Sequence, residues 1–227
     1  MHDHTVKSYD KELETLERRI AEMGGIAEKM VIDAMDALAN SDALLAQAVI
    51  HTDERLDALQ REIEDGAILT IARRQPMAVD LREIVGAIRV AGDLERVGDL
   101  AKNIAKRVGH IEGRKRFEPL TLLPMMNELA GDMVHYVLTA YAARDPVAAA
   151  EIVQRDAKVD AFYDSVFRNF VSYMVENPAT ISSVAQLMFV ARNIERIGDH
   201  ATNIAEMVHF AATGTYLPER EDVPPPA

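Results

Sequence analysis

The sequence predicts an all-α protein made of tandem duplicated three-helix bundles, six long antiparallel helices in all. Three observations carry this expectation. Apolar residues recur at alternating spacings of three and four over stretches far longer than a strand. Ala, Leu, Glu and Met are plentiful while aromatics are only 5 %, a supply that favours helix over sheet. The second half of the chain also repeats the pattern of the first.

The first helix rests on Val6, Tyr9, Leu13, Leu16, Ile20, Met23, Ala27, Met30, Ala34 and Ala37, a heptad seam that passes Gly24-Gly25 without slipping. From about residue 5 to 39 it would be roughly 50 Å long, and the glycine pair is a place for it to bend. Asn40-Ser41-Asp42 is a stop followed by a cap for the next helix. That helix runs from about Ala43 to Arg74, with Val49, Leu56, Leu59, Ile63, Ala67 and Thr70 on one face, and Pro76 breaks it. A third helix spans about Asp80 to Val108. Gly109 to Glu118 is basic, contains glycine and has no apolar period, so it is a connector.

Then the pattern returns. Met23, Ala27, Met30, Ala34 and Ala37 reappear 103 residues later as Met126, Ala130, Met133, Val137 and Ala140. Asp42 reappears as Asp145, followed by Pro146 in the first helical turn, where proline is favoured. Val49, Leu56 and Leu59 reappear as Ile152, Val159 and Phe162, and Pro178 ends this helix as Pro76 ended its counterpart. The last helix, about Thr180 to Ala212, repeats the third at an offset of 100. There Leu94–Ala105 (LERVGDLAKNIA) and Ile194–Ala205 (IERIGDHATNIA) agree at eight of twelve positions. The expected organisation is a first three-helix repeat over 1–112, a second over 113–212, and a disordered Pro-rich tail over 213–227.

Composition excludes several functions. With 227 residues the chain is long enough for a sizeable core, and 48 % hydrophobic content is too high for a disordered protein. The absence of Cys removes disulfide scaffolds, thiolate nucleophiles, Cys zinc sites and iron–sulfur clusters. A net charge of −12 argues against nucleic acid as a ligand and against adsorption to anionic lipid. No phosphate-binding glycine loop and no serine nucleophile elbow occurs. Met1 to Asp10 lacks a basic segment leading into an apolar one, and no apolar run approaches the ~20 residues a membrane span needs. The expectation is therefore a soluble, cytoplasmic protein without direct membrane insertion.

The chemistry lies in four acidic pairs. Asp53/Asp57 and Asp156/Asp160 stand on the second helix of each half, and Glu95/Asp99 and Glu195/Asp199 on the third. Residues four apart are about 40° apart around a helix, so each pair shares a face. Glu95, Asp99 and Asn103 lie opposite the apolar stripe of Val90, Leu94, Val97, Ala101, Ile104 and Val108, and the last helix repeats this with Glu195, Asp199 and Asn203. The pairs of each half are placed to meet across a helix–helix groove. A solvated acidic face is the ordinary alternative. Against it, like charges at this spacing cost a helix about 0.2–0.5 kcal/mol per pair and call for a counter-cation. The pairs also recur while other exposed residues differ, Lys102 against Thr202 and Glu54 against Ala157.

Four carboxylates from two helices make a hard oxygen site suited to Mg, Ca, Mn or Fe, with Zn less favoured. Asn103 and Asn203, one turn further on, are candidates for weak or outer ligands. Gly98 and Gly198 cost helix stability. They mark either a close approach by backbone, ligand or partner, or simply tight helix packing. The lone Glu206–His209 E-x-x-H has Lys106–Gly109 as its counterpart, so a ferritin-like di-iron site lacks its second motif. His200 has Leu100 as its counterpart, which argues against a duplicated role.

The duplicated halves, with LERVGDLAKNIA and IERIGDHATNIA in tandem and the E(D)-x-x-x-D pairs beside them, resemble the PhoU family of phosphate-transport accessory and regulatory proteins. The resemblance covers about residues 5–212. It implies a non-enzymatic, metal-binding, cytoplasmic protein, often a homodimer, with multinuclear clusters on its surface. It implies action with the ATPase subunit of the phosphate ABC transporter and with the phosphate-sensing histidine kinase, as a negative regulator of phosphate uptake and of the starvation response. Carried over by position, the metal ligands are Asp53, Asp57, Glu95 and Asp99 in one half and Asp156, Asp160, Glu195 and Asp199 in the other. The alternative is a carboxylate-bridged iron or manganese oxidoreductase on a helical bundle; a plain helical adaptor is the third. The eight carboxylates are a large share of the 37 acidic residues. With metal bound the protein approaches neutrality, which is compatible with recruitment to the inner face of the membrane by partners.

Overall fold

Apolar seams at helical spacing place six α-helices side by side in a computed structural model that describes residues 7–111 and 118–217. They are α1 (Lys7–Asn40), α2 (Ala43–Arg74), α3 (Val79–Lys106), α4 (Leu123–Ala143), α5 (Pro146–Glu176) and α6 (Ile181–Thr213). Short 3₁₀ turns at Arg107–His110, Glu118–Leu122 and Pro178–Thr180 join them, and the described residues contain no strand. α3 and α6 pack on each other at the centre, flanked by α2 and α5. α1 lies against α2 and α3, α4 lies against α5 and α6, and α1 and α4 touch. One buried apolar cluster runs through both repeats, so the two halves share a core.

The helix limits have local causes. Asp42 Oδ1 accepts from the Leu44 and Leu45 amides, both at 3.0 Å, and Asp145 Oδ1 accepts from Val147 and Ala148 at 2.9 and 3.1 Å. Both are aspartate N-caps satisfying orphan donors of the first turn. α2 ends where Gln75 turns left-handed at φ 50°, just before Pro76. Within the expected connector Ile111 is buried, while 112–117 lie outside the described residues.

One expectation is met and one changes. α1 continues unbroken through Gly24-Gly25. A Cβ on Gly24 would fall 2.5 Å from Leu138 Cδ2, so this glycine admits α4 against α1. The tail does not begin at 213. Thr213 closes α6, Gly214 caps it with φ 78°, and Tyr216 stacks on Phe210 with ring centroids 4.5 Å apart. The Pro-rich residues 218–227 lie outside the described residues. No helix among the described residues is long and apolar enough to cross a membrane.

Candidate metal centre

Packing of α2 on α3 and of α5 on α6 forms two grooves with an acidic lining. Asp53 is 5 % exposed, Asp156 3 % and Glu195 9 %, so three carboxyl groups are in places where bare charge is costly. Asp57, Glu95, Asp99 and Asp160 are half-buried, and Asp199 is exposed. The glycines explain how the helices come so near. A Cβ on Gly98 would lie 2.9 Å from Leu56 Cδ2, so in the first half the need is tight apolar packing. A Cβ on Gly198 would lie 3.0 Å from Asp156 Oδ1, so in the second half the glycine makes room for a carboxylate of the site. Both are contacts between packed helices, so of the two explanations tight helix packing accounts for the matched pair.

In the first groove, the Lys102 ammonium donates to Asp53 Oδ2 and, at 2.6 Å, to Asp99 Oδ1. Arg96 lies 3.4 Å from Glu95 Oε2 and donates to Asp99 Oδ2 at 3.3 Å. Asp53 Oδ1 is buried with no hydrogen-bond partner among the described residues. Burial raises the Glu95 carboxyl above the usual carboxylate range, with Asp99, Asp57 and Asp53 adding to the effect and Arg96 opposing it.

The second groove has Thr202 in the place of Lys102. Its Oγ1 is buried without a partner among the described residues, as is Glu195 Oε2, while Glu195 Oε1 accepts from Arg192. Burial pushes Glu195 up to about 7, helped by Asp199, Asp160 and Asp156 and opposed by Arg192. Solvent reaches Asp199, yet the protein atoms crowding its carboxyl raise it too, followed by Asp160. In each half, therefore, the four carboxylates act on one another as a single electrostatic cluster.

Among the described residues, no three carboxylates or imidazoles form a finished cage around one ion. The side chains turn instead toward Lys102, Arg96 and Arg192. The residues still fit a hard cation. The donors are carboxylate oxygens on rigid facing helices, and buried oxygens of Asp53 and Glu195 are without partners.

Asn203 turns to a neighbouring helix. Expected as an outer ligand of its own acidic group, it donates instead to Asp93 Oδ1 at 3.2 Å, which His200 Nδ1 also meets at 2.9 Å. The docking of α6 on α3 brings Asp93 within reach of Asn203. Asn103 is half-buried on α3. His209 Nδ1 lies 2.9 Å from the Thr215 carbonyl and secures the end of the chain. Sequence reasoning missed Lys102, Arg96 and Arg192 as parts of the site. Their positions three residues before or after a paired acid, or next to one, were the available signal.

Comparison with known proteins decides the family. The family model described as PhoU domain matches residues 20–108 and again 123–208, and each match contains one acidic groove. The chain belongs to the PhoU family. A PhoU homolog of Rhizobium meliloti, named as a phosphate-specific transport system accessory protein, is 53 % identical over 94 % of this chain and 90 % of its own length. A protein of the same name from Zymomonas mobilis is 46 % identical, over 96 % of this chain and 92 % of its own. The crystal structure of PhoU from Pseudomonas aeruginosa is 37 % identical with a TM-score of 0.88, covering 91 % of this chain and 100 % of that one. The Streptococcus pneumoniae phosphate transport system regulatory protein PhoU is 27 % identical with a TM-score of 0.86, covering 92 % and 99 %. The PhoU fold thus extends across both grooves.

Proposed function

We propose that this PhoU-family chain is a non-enzymatic accessory protein of phosphate transport that holds metal ions in its two acidic grooves. It restrains phosphate uptake and the phosphate-starvation response. It docks in the cytoplasm, as a homodimer, on the ATPase subunit of the phosphate ABC transporter and on the sensor histidine kinase. The names carried by its relatives support the transport role. The metal role is carried by one observation: Glu195 sits nine-tenths buried among three other carboxylates, with an oxygen lacking a partner and a pKa pushed up to about 7.

Asp53, Asp57, Glu95 and Asp99 would hold metal in the first groove, and Asp156, Asp160, Glu195 and Asp199 in the second. Mg, Ca, Mn and Fe suit the oxygen donors better than Zn. A bound ion supplies the positive charge that lets the carboxylates ionise together. The residues tie α2 to α3 and α5 to α6, and Gly198 keeps α6 close enough for Asp156 to take part.

Deleting the gene in its own bacterium should raise phosphate uptake and switch on phosphate-starvation genes in phosphate-rich medium. Unchanged uptake and expression would sink the regulatory reading. Protein dialysed free of metal and titrated with Mn²⁺ should melt at a higher temperature, and the double variant Glu195→Gln/Asp199→Asn should lose much of that rise. If Mn²⁺ leaves the melting temperature of the parent protein unchanged, the grooves are not metal sites.

A further inference from the structure

The two grooves differ by a charge at one matched position. α3 carries Lys102 where α6 carries Thr202. The Lys102 ammonium joins Asp53 of α2 to Asp99 of its own helix, one carboxylate from each wall of the groove. Only 20 % of its side chain is exposed. Its place is fixed by these two contacts.

At the matched position the second groove carries an uncharged hydroxyl, Thr202. Thr202 Oγ1 and Glu195 Oε2 are both buried without hydrogen-bond partners among the described residues. Arg192, 54 % exposed, bonds Glu195 from the rim. The guanidinium also lies 5.8 Å from the Tyr163 ring centroid, so it has an outward seat available. Arg96 holds the same peripheral relation to the first groove, 60 % exposed beside Glu95 and Asp99. Rim arginines are common to both halves; the enclosed ammonium belongs to the first half.

We propose that Lys102 is a built-in counter-cation that makes the two metal sites unequal, so that the Thr202 groove takes a divalent ion first and the Lys102 groove only by expelling the ammonium. This rests on the metal binding proposed above. A divalent ion entering the first groove meets a fixed positive charge within a few ångströms and must break two charge-assisted hydrogen bonds. In a partly buried site this weakens binding roughly tenfold or more. The first half then keeps α2 tied to α3 at any metal level, and the coupling of α5 to α6 is the one that follows metal supply.

The test is calorimetric titration of the full-length, metal-free protein with Mn²⁺, comparing the parent with Lys102→Met and the reciprocal Thr202→Lys. The parent should show two classes of site at least tenfold apart. Lys102→Met should strengthen the weak class, and Thr202→Lys should weaken the strong one. Glu195→Gln/Asp199→Asn should remove the strong class and leave the weak one. Should Lys102→Met misfold, Thr202→Lys is decisive alone, since it adds a cation without removing a structural pair. If both classes survive these exchanges with unchanged affinities, the role of Lys102 is wrong while metal binding stands. If no protein in the set binds Mn²⁺, the underlying metal reading fails instead.

Discussion

The groove between α2 and α3 and the groove between α5 and α6 carry the same four carboxylate positions but neutralise them differently. The first uses a lysine from its own wall, held by Asp53 and Asp99. The second has a threonine there and a glutamate pushed up to about 7. The packing glycines follow the same division, Gly98 facing a leucine and Gly198 facing a carboxylate. Duplication fixed the backbone and the acidic positions. Single side chains then decided how much uncompensated charge each half retains.

The largest expected effect tests where the halves should be alike. Leu94 and Ile194 are both fully buried at matched positions. Replacing either by Ala should destabilise the protein by about 2–5 kcal/mol in urea unfolding. Costs differing by more than the usual scatter for such cavities would place the asymmetry in the core as well as in the grooves.

Next comes the contrast at 102 and 202. Lys102→Met in metal-free protein leaves Asp53 buried without its cation and should cost about 1–3 kcal/mol. Thr202→Val removes an unpartnered buried hydroxyl and should lie within about 1 kcal/mol of the parent, on the stabilising side. Equal losses in denaturation would break the comparison.

A third contrast uses pH. The Glu195 carboxyl is raised in the folded, metal-free protein relative to its unfolded value near 4.5. The stability it contributes is full below about 4.5 and disappears as pH rises through about 7. Glu195→Gln should therefore match the parent best at low pH and become the more stable protein by about pH 8, by about 1–3 kcal/mol. Glu95 is shifted in the same direction, for the same first cause, burial, so Glu95→Gln should follow the same sign. Thermal melts of both variants across about pH 4–8 measure this, and a Glu195→Gln curve parallel to the parent's would refute it.

The smallest effect returns to likeness. Asp42→Ala and Asp145→Ala each remove an N-cap and should cost about 1 kcal/mol apiece in thermal or urea unfolding.

Much of this was legible because it is local. The heptad seam, the two aspartate caps, the proline stops and the eight carboxylates all follow from spacing along one helix. What escaped depends on one helix meeting another. The bond from Lys102 to Asp99 lies within one turn, but its reach to Asp53 needs the register of α2 on α3. Asn203 finds Asp93 because α6 docks on α3, which no intrahelical period encodes. Gly24 offers room for a bend when read alone, and its use appears only with Leu138 above it. The tail begins late because Phe210, Tyr216 and the His209–Thr215 contact add order past the last heptad position.

The apolar cluster that runs through both repeats also governs how the protein responds to anything bound at its surface. With no seam between two cores, the chain should unfold in a single transition, and neither repeat has a melting temperature of its own. Any ligand that favours the folded state then stabilises the entire cooperative unit by an amount set by its concentration and affinity. An ion seated between α5 and α6 would therefore make rarer the global unfolding through which the most protected α2 amides exchange, although it never touches that helix. Hydrogen exchange at α2 amides would register the occupancy of the opposite groove.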